Sequence, residues 1–139
     1  MSMLRKTIIG AAGVVLLFGA VGCAHMPDSR TAEERVADRA LERRQALIDG
    51  DFEQAYAYLS PGYRENVSLR GYRGRFGGAV SWTDAEVRDV ECGAEDACTA
   101  TVLLHYRVSM PRMDAREGQR PIEEQWVRSD GEWWFLLRR

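Results

Sequence analysis

The apolar residues of this chain change their spacing once, near Trp82, and that switch restricts the folds open to it. From Cys98 to Val108 the alternation is strict. Cys98, Ala100, Val102, Leu104, Tyr106 and Val108 share one side, and Thr99, Thr101, Leu103, His105 and Arg107 the other. Side chains of an extended strand point to alternate faces, so this stretch has one face to bury and one for water. Before Trp82 apolar residues recur every three or four positions instead. A chain that is helical in period first and strand-like afterwards folds as α+β, with helices segregated on one face of an antiparallel sheet.

Thr31 followed by Glu34 is a capping-box signature, and it predicts a helix from about Ala32. Val36, Ala37, Ala40, Leu41, Leu47 and Ile48 fall on one side of that helix. Glu33 and Arg44 project into the same arc and are expected to lay their stems along it while their charges reach water. Arg35, Asp38, Glu42 and Asp49 make a solvated face, and Gly50 supplies a left-handed cap. Asp51 then caps a second helix whose buried side is Phe52, Ala55, Tyr56 and Leu59, and Ser60-Pro61-Gly62 stops it. A third helix is expected over Tyr63–Gly78 from Leu69, Tyr72 and Phe76. Its three inner glycines each weaken it by about 1 kcal/mol. Arg64, Arg70, Arg73 and Arg75 form a basic cluster there. It reads either as a solvated face beside acids from elsewhere or as a contact for anionic headgroups or an acidic ligand.

In the strand half, Ala85 and Val87 have odd parity and Val90 and Cys92 even. A bulge near Arg88-Asp89 reconciles them. Ser109–Gln119 reads as a long polar connection. A last hairpin runs from Ile122 to Arg128, through a turn at Asp130-Gly131, and on from Trp133 to Arg138. Trp126 faces Phe135 or Trp134 according to whether Gly131 forms a bulge, and both registers stay open.

The first 23 residues carry a different message. Arg5 and Lys6 precede an apolar run, Ile8–Val21, that is short for a bilayer-spanning helix and suits the apolar core of an export signal. Ala20-Val21-Gly22-Cys23 resembles the lipobox of bacterial lipoproteins, which implies cleavage after residue 22 and acylation of Cys23. Residues 1–22 are then signal peptide, 23–30 a lipidated tether and 31–139 the folded domain. The mature chain has 117 residues, with 17 basic and 21 acidic groups and a net charge of −4. One core is sustainable at that length. The charge balance argues against a nucleic-acid partner. The tether reaches roughly 23–25 Å when extended, which holds the domain close to the bilayer. Ala24 after the acylated position leans, by analogy with lipoprotein sorting, towards the outer membrane, facing the periplasm. In that oxidising compartment Cys92 and Cys98 remain, flanking a short polar loop. A structural disulfide is the expectation, worth about 2 kcal/mol. Their surroundings hold too few further Cys or His residues for a metal site.

Ala46-Leu47-Ile48-Asp49-Gly50-Asp51, Ala55-Tyr56-Ala57-Tyr58-Leu59-Ser60-Pro61, and Gln125-Trp126-Val127 with Asp130-Gly131-Glu132-Trp133-Trp134 resemble the nuclear transport factor two-like superfamily, SnoaL-like domains included. The resemblance spans about Ala32–Arg139. It implies a half-open cone, a curved antiparallel sheet wrapped around a long first helix. That fold hosts isomerases, dehydratases and cyclases as well as non-catalytic binding domains, so fold does not decide function. A cone enzyme needs a buried acid or base. Asp84, His105 and Glu124 are the candidates, with Tyr56 and Tyr106 as oxyanion donors and Trp126 in the pocket wall. None matches a family catalytic motif, and no cofactor fingerprint is present. The leading expectation is a non-catalytic, lipid-anchored domain that holds a small apolar ligand or docks an envelope protein, a homodimer included. The alternative is a periplasmic cone enzyme doing acid–base chemistry.

Overall fold

A computed structural model describes residues 29–77, 80–94 and 96–137. The export-like segment, Cys23 and most of the tether lie outside the described residues. Among those described, no helix is long and apolar enough to cross a membrane.

Helix α1 (Ala32–Ile48) begins on the capping box read from the sequence. Thr31 Oγ1 accepts from the Glu34 N–H at 3.2 Å, and the Glu34 carboxylate accepts from the Thr31 N–H at 2.8 Å. It ends at Asp49, with Gly50 at φ +76°, a conformation that suits glycine. The buried stripe is centred on Val36, Ala40, Arg43 and Leu47, flanked by Arg44 and Ala46. Two expectations are corrected here. Leu41 is 42% exposed, because at about 100° per residue it stands well off that centre. Arg44 does not reach out to water, because a carboxylate waits for it beneath the helix.

Helix α2 (Phe52–Ala57) starts from Asp51, whose carboxylate accepts from the Gln54 N–H at 3.0 Å. The single third helix expected over Tyr63–Gly78 is instead two short ones, α3 (Pro61–Asn66) and α4 (Leu69–Arg73). Pro61 suits a first helical turn, where its missing N–H would have no partner anyway. Val67 is extended between the two, and Ser68 opens α4 by accepting from the Gly71 N–H. The Tyr56 hydroxyl donates to the carbonyls of Arg64 and Val67, at 3.1 and 2.6 Å, which fixes the break.

Four strands follow, β1 (Val80–Ala94), β2 (Ala97–Val108), β3 (Arg116–Ser129) and β4 (Glu132–Leu136). They pair antiparallel in chain order. Register shifts interrupt β1 at Thr83, Arg88 and Gly93. The middle one is the bulge that the parity of Val87 and Val90 predicted. The first has a larger effect: Trp82 pairs with Tyr106 and Ala85 with Leu104, so a residue that simple alternation sends outward joins the helix-covered face.

The polar connection is shorter than expected, because β3 already begins at Arg116. Gly118 makes this possible. It sits opposite Tyr106, and a Cβ there would lie 2.7 Å from the ring. Pro121 is beyond the reach of β4, on a stretch with one open edge that tolerates a missing donor. The last hairpin turns on Asp130 and Gly131, at φ 53° and 81°, the two positive values of a two-residue loop that matches strand twist. Trp126 therefore pairs with Phe135. The outer edge of β4 is closed by the α2–α3 connection, where the Phe135 N–H donates to the Tyr58 carbonyl at 2.8 Å. The Cys92–Cys98 disulfide is formed, between residues directly opposite in the β1–β2 pair.

Candidate functional site

Alternation along β3 puts Ile122, Glu124 and Trp126 on the helix-covered face, so Glu124 lies under α1. Its Oε1 accepts from Arg43 Nη1 at 2.9 Å and from Arg44 Nε. Its Oε2 accepts from Trp126 Nε1 at 3.2 Å. The carboxylate is sealed from solvent, and the Arg43 and Arg44 side chains are 2% and 9% exposed. Desolvation of such groups costs several kcal/mol per ion, which these contacts offset, although Arg43 Nε is buried without a partner among the described residues. Arg43 also donates from Nη2 to the Tyr72 hydroxyl at 3.5 Å, and its guanidinium lies 3.7 Å from the Phe135 ring centroid. Burial holds the Arg44 guanidinium below its ordinary value, with Glu124 opposing. Burial likewise pushes the Tyr72 phenol up, with Arg43 opposing. Two guanidiniums share one carboxylate, so the cluster keeps one positive charge in excess.

Beyond this cluster, two recesses open on either side of Trp82. One, of about 310 Å³, is walled by Trp82, Leu104 and Tyr106 with Arg120 at its edge. The other, of about 340 Å³, is walled by Leu47, Phe52, Phe76 and Trp82 with Arg75 at its edge. The aromatic wall is continuous. Phe76 stands edge-on to Trp82 at 5.9 Å and lies 5.4 Å from Phe52. The Arg44 guanidinium is 5.5 Å from the Trp82 ring centroid, behind that wall. Recesses of this size, walled by aromatic rings with an arginine in the lining, suit a small molecule. A third hollow, of about 400 Å³ beside α1, is lined by charges that already pair, Arg30 with Asp38 and Arg39 with Glu132.

The residues singled out from the sequence divide between the two sheet faces. Glu124 and Trp126 are in the buried cluster, and Tyr106 lines the first recess. Tyr56 is half-buried, and its hydroxyl is committed to the carbonyls that break α3 from α4. Asp84 and His105 pair with each other on the opposite, open face of the sheet, so they do not converge with Glu124. There His105 Nε2 lies 3.4 Å from Glu86 Oε1, and Asp84, Glu86 and His105 each bring one possible ligand atom within 4.8 Å of the others. A divalent ion could use that trio, although Glu86 also pairs with Arg88 at 3.1 Å. The Arg64, Arg70, Arg73 and Arg75 cluster forms no ion pair among the described residues, and Arg70, Arg73 and Arg75 are exposed; Arg73 lies over Phe52 and Arg64 over Trp134.

Three important residues escaped the sequence reading. Arg43 scores as polar in any hydrophobic scan, yet it occupies the centre of the α1 stripe. Trp82 reaches its wall only through the Thr83 bulge. Arg120 belongs to β3, which begins at Arg116, ahead of the apolar alternation that marks the hairpin from Ile122.

The fold class is thus α+β, with helices on one face of a four-stranded antiparallel sheet. In structure the chain is similar to a SEC-C motif-containing protein from Rhodopseudomonas palustris, solved in solution. The TM-score is 0.52 at 16% identity, covering 67% of this chain and 68% of that one. At that identity the likeness concerns the fold alone. No protein-family model matches the chain, and no curated protein matches it in sequence.

Proposed function

We propose that this chain is a bacterial lipoprotein, anchored by an acylated Cys23 in the envelope and facing the periplasm, with a non-catalytic nuclear transport factor two-like domain that binds a small apolar ligand. The observation that carries the ligand half is the aromatic wall around Trp82, with recesses of about 310 and 340 Å³ on its two sides. A protein partner or a second copy docked on the open sheet face is less well supported. That face is mixed, with Glu86, Thr99, Thr101, His105, Glu123 and Gln125 interspersed among Leu103, Pro121 and Val127, rather than one continuous apolar patch. The enzyme alternative draws no support from Asp84, His105 and Glu124, which lie on opposite faces. The anchor half rests on the lipobox-like Ala20-Val21-Gly22-Cys23, and the outer membrane follows from Ala24 by sorting analogy.

Two measurements test the two halves. A pocket ligand raises the melting temperature without changing particle mass, whereas self-association makes melting depend on concentration. Replacement Cys23→Ser should abolish the lipid-dependent mass and release the domain from envelope fractions. A variant of unchanged size that still sediments with the envelope would overturn the anchor.

A further inference from the structure

We infer that the ligand of the Trp82 recesses is a small amphipathic anion, an apolar body carrying one carboxylate, with Arg120 as its principal counter-charge. This rests on the ligand-binding reading above and narrows it to a chemical class.

Three observations point the same way. The chain as a whole is acidic, with a net charge of −2. Yet the described residues lining the two recesses include Arg120 and Arg75 and not one Asp or Glu. A wall built against the sign of the rest of the molecule favours ligands of the opposite charge. Second, Arg120 is exposed, lies beside Leu104 and Tyr106, and makes no ion pair or hydrogen bond among the described residues. Arg75 makes one weak contact, donating to the Tyr63 hydroxyl at 3.4 Å. Planar guanidiniums of this kind match a carboxylate with two parallel donors.

Third, the buried cluster behind Trp82 is one negative charge short. Arg44 uses Nε on Glu124, while its two amino groups donate to nothing among the described residues. An anion in the first recess therefore meets Arg120 at the rim and the uncompensated field of Arg43 and Arg44 behind the indole. In a setting partly shielded from water that field is screened less than at the surface. Apolar atoms of the ligand cover Trp82, Leu104 and Tyr106, at roughly 25 cal/mol per Å² removed from water. The two parts add. A bare anion gains no burial, and a plain hydrocarbon gains nothing from the arginines.

The test uses three chain-matched probes below their micellar concentrations, decanoate, decanol and decylammonium, titrated against the folded protein with tryptophan fluorescence and thermal shift. Decanoate should bind about tenfold or more tighter than decanol, with decylammonium weakest, and its advantage should shrink as salt is raised. Arg120→Gln, at an exposed position without a protein partner, should fold normally and lose most of the decanoate advantage while leaving decanol binding unchanged. Trp82→Ala should weaken both probes. Equal binding of decanoate and decanol, or a decanoate advantage that survives Arg120→Gln and Arg75→Gln together, would overturn the anion inference and leave the apolar pocket standing. If none of the three probes binds, the pocket reading itself fails.

Discussion

Arg43 and Glu124, 81 residues apart in the chain, meet at 2.9 Å where both side chains are closed to water. One stands at the centre of the α1 stripe and the other on the inner face of β3, so helix and sheet are docked through a charge as well as through apolar contact. Glu124→Gln removes the only anion among two buried guanidiniums. It should cost about 3–5 kcal/mol in denaturant unfolding, the range for a broken buried pair. A combined Arg43→Met, Arg44→Met, Glu124→Gln protein should recover much of that loss, because no charge is then left stranded. If Glu124→Gln is within 1 kcal/mol of the parent, the cluster does not hold the helix as described.

Gly118 and Tyr106 give a second prediction. A Cβ on Gly118 would come within 2.7 Å of the tyrosine ring, so Gly118→Ala should destabilise the domain by about 1–3 kcal/mol through overpacking. Adding Tyr106→Ala should cancel part of the effect. A double mutant whose loss is the plain sum of the two singles would show that they do not meet.

Reduction of Cys92–Cys98, or the paired Cys92→Ser and Cys98→Ser substitution, should lower stability by about 2 kcal/mol, as expected for a loop this short. Melting with and without reductant measures it. The paired substitution should be indifferent to reductant.

Stability should fall at alkaline pH. The Tyr58 phenol is pushed up to about 12, by burial first and then by its hydrogen bond to Glu42 at 2.6 Å. In the unfolded chain it titrates near 10. Between those values the unfolded chain releases a proton that the folded one keeps, so this contribution is whole below about pH 10 and is lost as pH rises through about 12. Tyr58→Phe should flatten the decline, and a phenolate absorbance titration should show one late tyrosine fewer. Equal declines in parent and variant would exclude Tyr58 as a source.

Much of the architecture was legible because its determinants are local. Thr31 and Glu34 announce the start of α1, Asp130-Gly131 the last turn, and the parity of Val87 and Val90 the central bulge. Glu124 was legible too, since Ile122 and Trp126 on either side of it have the same parity. What stayed hidden depends on partners distant in sequence. Nothing in the spacing marks Arg43 as buried, and Arg44 reads as a snorkelling residue, until the carboxylate of β3 is set beneath them. Trp82 reads as outward until the Thr83 bulge turns it, and no apolar pattern marks that bulge. The early start of β3 is a further case. Gly118 looks like a loop residue until the Tyr106 ring opposite explains why only a residue without a side chain fits.

The interruptions at Thr83, Arg88 and Gly93 fall five residues apart along the free side of β1. A strand arriving from another molecule needs an unbroken row of donors and acceptors to lie against, and here each row ends after a few residues. With the Phe135 N–H already donating to the Tyr58 carbonyl, both borders leave only short stretches open to pairing. Such borders disfavour the joining of sheets from separate copies.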